Sequence, residues 1–241
     1  MTSAYDPIKE KARPLFEAGG LMDTWVRVKA RALSTEEAIG NPEGDDFPLQ
    51  KGKERLMQAE INGAVGQAYT DQYGDFEGVL SDIFTMPLVN NFRRAVFVAT
   101  LNAALRSLGR AEKTVHCRDE GPELCAAELG RTIRDRYGTV RIGQVGFQPA
   151  IAGALAESFS VRVLDLDPDN IGTRKRGVMI EGADAQEGLI AWADLLLVTG
   201  TTLVNDTIGE FLRDKPVLFY GTTIAGAAAL MGWDRFCGQA S

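Results

Sequence analysis

Residues 194–205 read DLLLVTGTTLVN, an apolar run that ends in a turn rich in Gly and Thr. Three further stretches have the same form, namely residues 140–147 (VRIGQVGF), 161–167 (VRVLDLD) and 216–221 (PVLFYG). Short continuous apolar runs are typical of strands that are buried on both faces of a parallel sheet. Helical segments separate them, so we predict an α/β fold in this half of the chain: a Rossmann-like parallel sheet with helices on both faces.

The helices between these strands are predicted at residues 149–159 and 186–192, after Asn205, and from Thr223 onward. An earlier helix begins at Pro122, since proline favours the first helical position, and ends near Gly138. Its apolar stripe consists of Cys125, Leu129, Ile133 and Tyr137. The pattern changes just before this helix. We therefore predict an α+β domain at residues 1–118 and the Rossmann-like domain at residues 119–241.

The N-terminal part carries strand patterns first and a helix afterwards. Residues 24–33 (TWVRVKARAL) alternate strictly, with Val26, Val28, Ala30 and Ala32 on one face and Trp25, Arg27, Lys29 and Arg31 on the other. A turn-rich stretch, GNPEGDDFP at residues 40–48, precedes a hairpin around Asn62-Gly63, a pair suited to positive φ angles. We predict a three-stranded antiparallel meander, crossed by a helix at residues 94–108 that Gly109 ends.

Composition limits the classes of partner and the compartment. The formal net charge is -7, from 26 Lys and Arg against 33 Asp and Glu, which disfavours nucleic acid and anionic membranes as partners. The N-terminal residues lack the apolar stretch of a signal peptide, and no run approaches the ~20 apolar residues of a membrane span. Three cysteines are an odd number for a disulfide framework. We expect a cytoplasmic protein with free thiols.

Polar side chains cluster in the turns that follow the four predicted strands. In an open parallel sheet, ligands bind at the carboxyl ends of the strands, and a helix N-terminus there favours an anion. The same Thr and Asn side chains also cap helices without any ligand, so both interpretations stay open. The candidate ligand-binding residues are Phe147, Gln148, Asp165, Asp167, Thr199, Gly200, Thr201, Thr202, Asn205, Gly221, Thr222 and Thr223.

Asp165 ends the second strand of the unit, where dinucleotide-binding folds place an acid that bonds a ribose hydroxyl. The first turn, however, has Gly143-x-x-Gly146 followed by Phe147 and Gln148 instead of G-x-G-x-x-G. A pyrophosphate would meet side chains there, so the pattern argues against an NAD enzyme. A nucleoside or S-adenosylmethionine-like ligand remains an alternative, as does a solvated turn for Asp165 and Asp167.

A second candidate cluster precedes the predicted Rossmann-like domain. The segment HCRDE at residues 116–120 contains the single histidine, and Cys125 follows it. Imidazole and thiolate bind transition metals such as zinc, iron, nickel or cobalt, so His116, Cys117 and Cys125 are candidate metal ligands. Their spacing is not a standard one, and Cys125 also fits a small apolar core position. A catalytic role has no motif to support it.

The run from Val198 to Thr207, with ADLLL before it and FYGTT after it, resembles the family of unknown function named for putative heavy-metal chelation. Thr199–Thr202 and Asn205 match the family's Thr-Gly-x-Thr-Leu-x-Asn run, whereas Gly221-Thr222-Thr223 departs from its usual Gly-Pro-Ser. The resemblance implies an enolase-N-terminal-like α+β domain joined to a Rossmann-like domain, with a cleft between them. It also implies a role in handling heavy metals or metal-cofactor precursors, and no established reaction.

Three hypotheses follow from the sequence. The first is a protein that binds a small ligand, either a heavy metal or a metal-cofactor precursor, in the interdomain cleft. The second is an enzyme that binds a nucleotide or S-adenosylmethionine-like cofactor at the strand carboxyl ends. The third is a partner-binding module that forms a homodimer through the exposed strand face around Trp25.

Overall fold

The computed structural model describes residues 3–29, 54–117 and 121–241 of the chain. Its α-helices in these ranges are α1 (Tyr5–Ala18), α2 (Leu80–Thr85), α3 (Asn91–Ser107), α4 (Gly121–Tyr137), α5 (Pro149–Ala156), α6 (Gln186–Trp192), α7 (Thr201–Val204) and α8 (Ala225–Met231). Its strands are β1 (Trp25–Lys29), β2 (Arg55–Ile61), β3 (Ala64–Thr70), β4 (Phe76–Val79), β5 (Arg141–Val145), β6 (Ser160–Leu164), β7 (Arg174–Lys175), β8 (Val178–Glu181), β9 (Leu195–Thr199), β10 (Val217–Tyr220) and β11 (Arg235–Phe236).

The C-terminal half forms a seven-stranded sheet in the order β11-β10-β9-β5-β6-β8-β7. All neighbouring strands are parallel except β7, which pairs antiparallel with β8. Numbered along the chain, the six parallel strands follow the 3-2-1-4-5-6 order of Rossmann folds. The predicted Rossmann-like fold class is therefore confirmed. The order reverses between β5 and β9, and this pair marks the topological switch point.

The N-terminal sheet has four antiparallel strands in the order β3-β2-β1-β4, so the predicted three-stranded meander is incomplete. The missed strand, β4, has the sequence FEGV, which is too short to show a period of two. The predicted hairpin is confirmed, because Asn62 and Gly63 have φ angles of 50° and 76°. Strand β1 alternates as predicted up to Lys29, while residues 30–33 and the turn at 40–48 lie outside the described residues.

Helix α3 lies on the antiparallel sheet, as predicted, but it is buried all round. Its first turn begins at Asn91 because the Asn90 side chain accepts a hydrogen bond from the amide of Arg93. Gly66 in β3 allows the close approach, since a Cβ there would collide with the backbone of Ala99 and Ala103. On its other side α3 packs against α7 and α8. The helix thus joins the two sheets.

One apolar core runs from α1 through α3 to one face of the parallel sheet. It includes Phe16, Phe97, Leu196, Val198 and Phe219. A second core covers the opposite face under α4 and α5, with Leu129, Ile133, Ile151, Leu195 and Leu197. The predicted boundary between residues 118 and 119 falls where residues 118–120 are outside the described part, so the division into two domains stays a prediction.

Three helices differ from the sequence prediction, and one of them is the short α2 (Leu80–Thr85), which was not predicted. The helix predicted after Asn205 is wrong, because α7 lies before that residue and Asp206, at φ 61°, adopts a left-handed conformation that ends it. Only a 3-10 turn at Ile208–Glu210 follows. Helix α1 was not predicted, although Tyr5, Ile8, Ala12 and Phe16 form its buried stripe. Among the described residues, no helix combines the length and the apolar character needed to cross a bilayer.

Candidate functional site

The predicted ligand-binding residues come together at one edge of the parallel sheet, because β5, β6, β9 and β10 all end there. Half-buried members surround the switch point, and the others are buried. The half-buried set is Phe147, Gln148, Asp165, Asp167, Thr199, Thr201, Asn205 and Gly221. The buried set is Gly200, Thr202, Thr222 and Thr223. Of these residues, only the half-buried ones are accessible to a small molecule.

The buried threonines are part of the joint between the two sheets. The Thr223 hydroxyl accepts a hydrogen bond of 3.1 Å from the amide of Tyr69, at the end of β3. The Asn102 amide group, on α3, donates to the carbonyls of Thr222 and Thr223. Gly200 lies so close to this turn that a Cβ would stand 2.7 Å from the amide nitrogen of Ile224. These residues hold the antiparallel sheet against the strand ends.

The two predicted acids of the β6 turn hold their own loops together. The Asp165 carboxylate accepts hydrogen bonds of 2.8 Å from the amides of Phe147 and Asp167. Asp167 in turn accepts a hydrogen bond of 3.0 Å from the amide of Asp169. The bonds from Asp167 and Asp169 are those of Asx turns, whereas the bond from Phe147 joins the β5 turn to the β6 turn. A ribose contact through Asp165 stays a prediction.

The side chains of Thr199 and Tyr220 lie against Gly146 at the end of β5. The Tyr220 hydroxyl donates to the Gly146 carbonyl over 2.7 Å, and burial raises the pKa of this phenol. A Cβ at Gly146 would stand 2.6 Å from the Thr199 side chain, and its φ of 86° also favours glycine. Gly143, the other glycine of the turn sequence, instead faces Leu189 of α6. The two glycines therefore serve a turn and helix packing rather than a bound pyrophosphate.

A carboxylate that the sequence analysis did not single out faces this edge from the antiparallel sheet. Glu54, just before β2, is half-buried, and desolvation together with the negative charges of Asp165, Asp71 and Asp167 raises its pKa to about 7. Two of these acids belong to the parallel sheet, whereas Glu54 and Asp71 belong to the antiparallel one. We call the four carboxylates, Glu54, Asp71, Asp165 and Asp167, the inter-sheet site.

Asparagines connect the inter-sheet site across the joint. The Asn91 amide group donates to the carboxylate of Asp71 over 2.7 Å and lies 3.3 Å from the side-chain oxygen of Asn205. The predicted residue Asn205 is thus linked to the antiparallel sheet. Arg94 donates to the Asn91 side-chain oxygen and to the carbonyl of Val204, which fixes the orientation of the amide.

Tyr69 connects this edge to the predicted metal cluster. Burial, followed by the charges of Cys117, Glu54 and Cys237, raises the pKa of Tyr69, so the ring lies near both sets of groups. It packs edge-on against His116, with ring centroids 5.4 Å apart. Burial lowers the pKa of His116 to about 4, and the buried Nδ1 atom has no hydrogen-bond partner. The imidazole is therefore neutral at pH 7 and available as a donor atom.

The predicted metal ligands His116, Cys117 and Cys125 lie in one neighbourhood, and Cys237 joins them. Burial and the charges of Cys237 and Cys125 raise the pKa of the Cys117 thiol to about 12. As the side chains stand, however, residues 3–29, 54–117 and 121–241 contain no three His, Cys, Asp or Glu arranged to hold one ion. Metal binding by this cluster stays a prediction.

Three contributors were missed because they lie far along the chain from the strand-end turns. Glu54 and Asp71 flank the two strands of the hairpin, and Cys237 follows β11. No local motif marks them. The sequence does place Glu54 at the start of β2 and Asp71 at the end of β3. This places the two acids near the strand-end turns only once the packing of the two sheets is known.

The fold and the joint define a class: a Rossmann-like α/β chain whose switch-point edge is covered by a small antiparallel sheet. Residues 131–224 match the model of the DUF364 family, described as "Putative heavy-metal chelation", which confirms the resemblance found in the sequence. A comparison with curated proteins gave no match.

The solved structures that share the fold include two proteins of unknown function from the DUF364 family. One, from Pyrococcus horikoshii, is 19% identical with a TM-score of 0.52, and the match covers 91% of this chain and 79% of that one. The other, from Desulfitobacterium hafniense DCB-2, is 15% identical with a TM-score of 0.50, over 73% and 72% of the two chains. At these identities the likeness concerns the fold alone.

Proposed function

We propose that the protein binds a heavy-metal ion, free or carried in a small cofactor precursor, between the antiparallel sheet and the carboxyl edge of the parallel sheet. The observation that carries this proposal is the inter-sheet site. Burial, followed by the negative charges of Asp165, Asp71 and Asp167, raises the pKa of Glu54 to about 7, so the four carboxylates act on one another across the two sheets. No three of them are arranged around one point in the described residues, so binding an ion requires their side chains to move together. Like charges that raise one another's pKa favour a cationic ligand, which would remove their mutual repulsion.

The position of the site supports the same function. Ligands of Rossmann-like folds bind at the switch point, where Phe147 lies just after β5 and Thr199 is the last residue of β9. The anion-binding interpretation of the threonine turns loses support, because Thr202, Thr222 and Thr223 are buried in the joint. The family description names a heavy metal, which agrees with a cation at this edge.

A calorimetric titration with Co(II) as the probe tests this proposal. The ion must displace the proton of Glu54, so the affinity of the wild-type protein is expected to rise with pH through neutrality. In Glu54→Gln we expect a loss of more than ~10-fold in affinity and a flat pH profile, on the scale of removed metal contacts. Glu60→Gln, an exposed residue of the same strand, is the matched control and should bind like the wild type.

Two outcomes would contradict the proposal. Either the wild-type protein binds no Co(II) at any pH, or Glu54→Gln binds with unchanged affinity and pH dependence. Metal analysis of protein purified without a histidine tag gives an independent readout, because a copurified transition metal is expected in the wild type and not in Glu54→Gln.

The location and the oligomeric state are part of this proposal. We infer a cytoplasmic protein, since Cys117, Cys125 and Cys237 are free thiols. We also infer a homodimer through the outer face of β1, where Trp25 is 56% exposed. Size-exclusion chromatography with light scattering tests the dimer. Trp25→Glu should yield a monomer, and a wild-type monomer would refute it.

A further inference from the structure

The turn after β5 contains a peptide unit, between Gly146 and Phe147, whose two polar atoms are both held by side chains. Its carbonyl accepts a hydrogen bond of 2.7 Å from the Tyr220 hydroxyl and one of 2.9 Å from the Gln144 amide group. Its N–H donates over 2.8 Å to the Asp165 carboxylate. Because the N–H and the carbonyl of a trans peptide point to opposite sides, this peptide links Tyr220 and Gln144 with Asp165.

The backbone of Gly146 does not by itself set the orientation of this peptide. Its φ of 86° lies where glycine is favoured, and a Cβ there would stand 3.1 Å from the Tyr220 hydroxyl oxygen. Glycine leaves the peptide that follows it free to rotate, so the hydrogen bonds select one orientation. A rotated peptide would present its carbonyl oxygen instead of its N–H to the Asp165 carboxylate. The two oxygens would repel each other, and the carboxylate would turn away.

Asp165 is half-buried, and its carboxylate is held from both ends. One oxygen accepts the hydrogen bond from Phe147, and the other accepts a hydrogen bond of 2.8 Å from the amide of Asp167. The Asn170 amide group lies 3.4 Å from the first oxygen. A carboxylate has about four acceptor positions, so these contacts leave one of them for a cation. The N–H of Phe147 therefore fixes the direction of the carboxylate without using up its capacity to bind.

The surroundings of Gln144 indicate that this arrangement serves more than stability. Gln144 is fully buried in the middle of the parallel sheet, and its side-chain oxygen has no hydrogen-bond partner. An unpaired buried acceptor lowers the stability of the folded state, and an apolar side chain of the same size would avoid that loss. Such a side chain could not donate to the Gly146 carbonyl, however. The hydrogen bond to the peptide is therefore what the glutamine contributes.

We infer that Gln144 and Tyr220 are positioning residues, which hold the peptide after Gly146 so that its N–H fixes the Asp165 carboxylate for a cation. This inference rests on the proposed function and deepens it, because it names groups that act on the inter-sheet site from the other side of the β5 turn. Neither side chain touches the ion. Residues that orient the ligands of a metal in this way typically change its affinity by ~10–100-fold when they are replaced.

Calorimetric titration of the full-length protein with Co(II) tests the two positioning residues. Tyr220→Phe removes only the hydroxyl and should lower the affinity by ~10-fold. Gln144→Met should lower it in the same way while its stability in urea stays close to that of the wild type, because the lost hydrogen bond is offset by removal of the unpaired oxygen. Tyr137→Phe is the matched control and should bind like the wild type, since the Tyr137 hydroxyl lies 3.4 Å from Asp234 at the end of α4.

A double-variant cycle with Asp165→Asn separates positioning from general damage to the fold. If Tyr220 acts through Asp165, Tyr220→Phe should cause no further loss of Co(II) affinity in the Asp165→Asn background. An equal loss in both backgrounds, or an unchanged affinity of Tyr220→Phe, overturns the inference and leaves the proposed function standing.

Hydrogen exchange of the Phe147 amide, followed by NMR without metal, gives a second measurement that does not depend on the proposed function. In Tyr220→Phe this amide should exchange more than ~10-fold faster than in the wild type, while the amides within β5 keep their protection. If the wild type binds no Co(II), the proposed function fails, and faster exchange at Phe147 alone still supports the hold on Asp165. Unchanged exchange at Phe147 in Tyr220→Phe overturns the inference, whatever the result with Co(II).

Discussion

Replacing Asn102 with alanine tests the joint between the two sheets. Asn102 lies in the middle of α3 and is fully buried. Its amide group donates to the carbonyls of Gln67, Thr222 and Thr223 over 2.9, 3.2 and 3.1 Å. Its side-chain oxygen accepts a hydrogen bond of 2.7 Å from the amide of Gly226, in the first turn of α8. One side chain thus connects β3, α3 and the turn after β10.

The expected loss of stability follows from the backbone groups that would lose their hydrogen-bond partner. Gly226 is in the first turn of α8, where amides have no partner within the helix. The Asn102→Ala variant leaves this amide and at least one buried carbonyl unsatisfied, at ~1–3 kcal/mol each, and also loses the net value of the bonds, ~1 kcal/mol each. We expect the free energy of unfolding to fall by about 4 kcal/mol.

Urea unfolding followed by circular dichroism measures this change. Thr100→Val is the matched control on the same helix, because the Thr100 hydroxyl is buried without a hydrogen-bond partner. This variant should keep or slightly raise the stability. The reasoning is refuted if Asn102→Ala loses less than ~1 kcal/mol with an unchanged m-value, since the bonds would then carry no net stability.

Three further changes probe the packing and the charge of the joint. Gly66→Ala should destabilise by about 3 kcal/mol in urea unfolding, because its Cβ meets the backbone of α3, and a stable variant would show that the approach is loose. Thr222→Val should raise the unfolding free energy by about 1 kcal/mol, because the buried hydroxyl has no partner; a loss of stability would show that it has one. The pKa of Glu54 is about 7 in the folded protein and 4.5 in the unfolded chain, so the folded state binds the proton more tightly. The stability that this proton adds is present below pH 4.5 and is lost as pH rises towards about 7. Without metal, the wild type should therefore lose on the order of 1–3 kcal/mol of unfolding free energy over this range. Glu54→Gln should remove that loss in unfolding experiments across pH, and an unchanged pH profile would contradict it.

Most of the parallel sheet could be predicted from the sequence. The runs at 140–147, 161–167, 194–200 and 216–221 became β5, β6, β9 and β10, because strands buried on both faces are continuously apolar. The hairpin at Asn62-Gly63 was equally clear, since few residue pairs adopt two positive φ angles. Strands β4, β7, β8 and β11 escaped prediction because two to four residues are too few to show a period.

The position of the candidate site could be predicted from the sequence, but the chemical groups that form it could not. The sequence located the strand ends, yet it could not show that Thr222 and Thr223 would be buried under β3, because that depends on how the two sheets pack. Glu54 belongs to the site for the same reason. Cys237 also had no local signal, since the backbone pairing of Ser241 with Val115 brings the C-terminal residues beside the segment that leads to Cys117.

Anomalous X-ray diffraction from crystals soaked with Co(II) shows directly whether a metal ion binds between the two sheets. We expect a cobalt peak between the sheets, at ~2.0–2.2 Å from carboxylate oxygens of the inter-sheet site, where metal–oxygen bonds fall. The peak should disappear in crystals of Glu54→Gln. A well-occupied wild-type crystal form with cobalt only on the outer surface, or with an unchanged peak in Glu54→Gln, would contradict it.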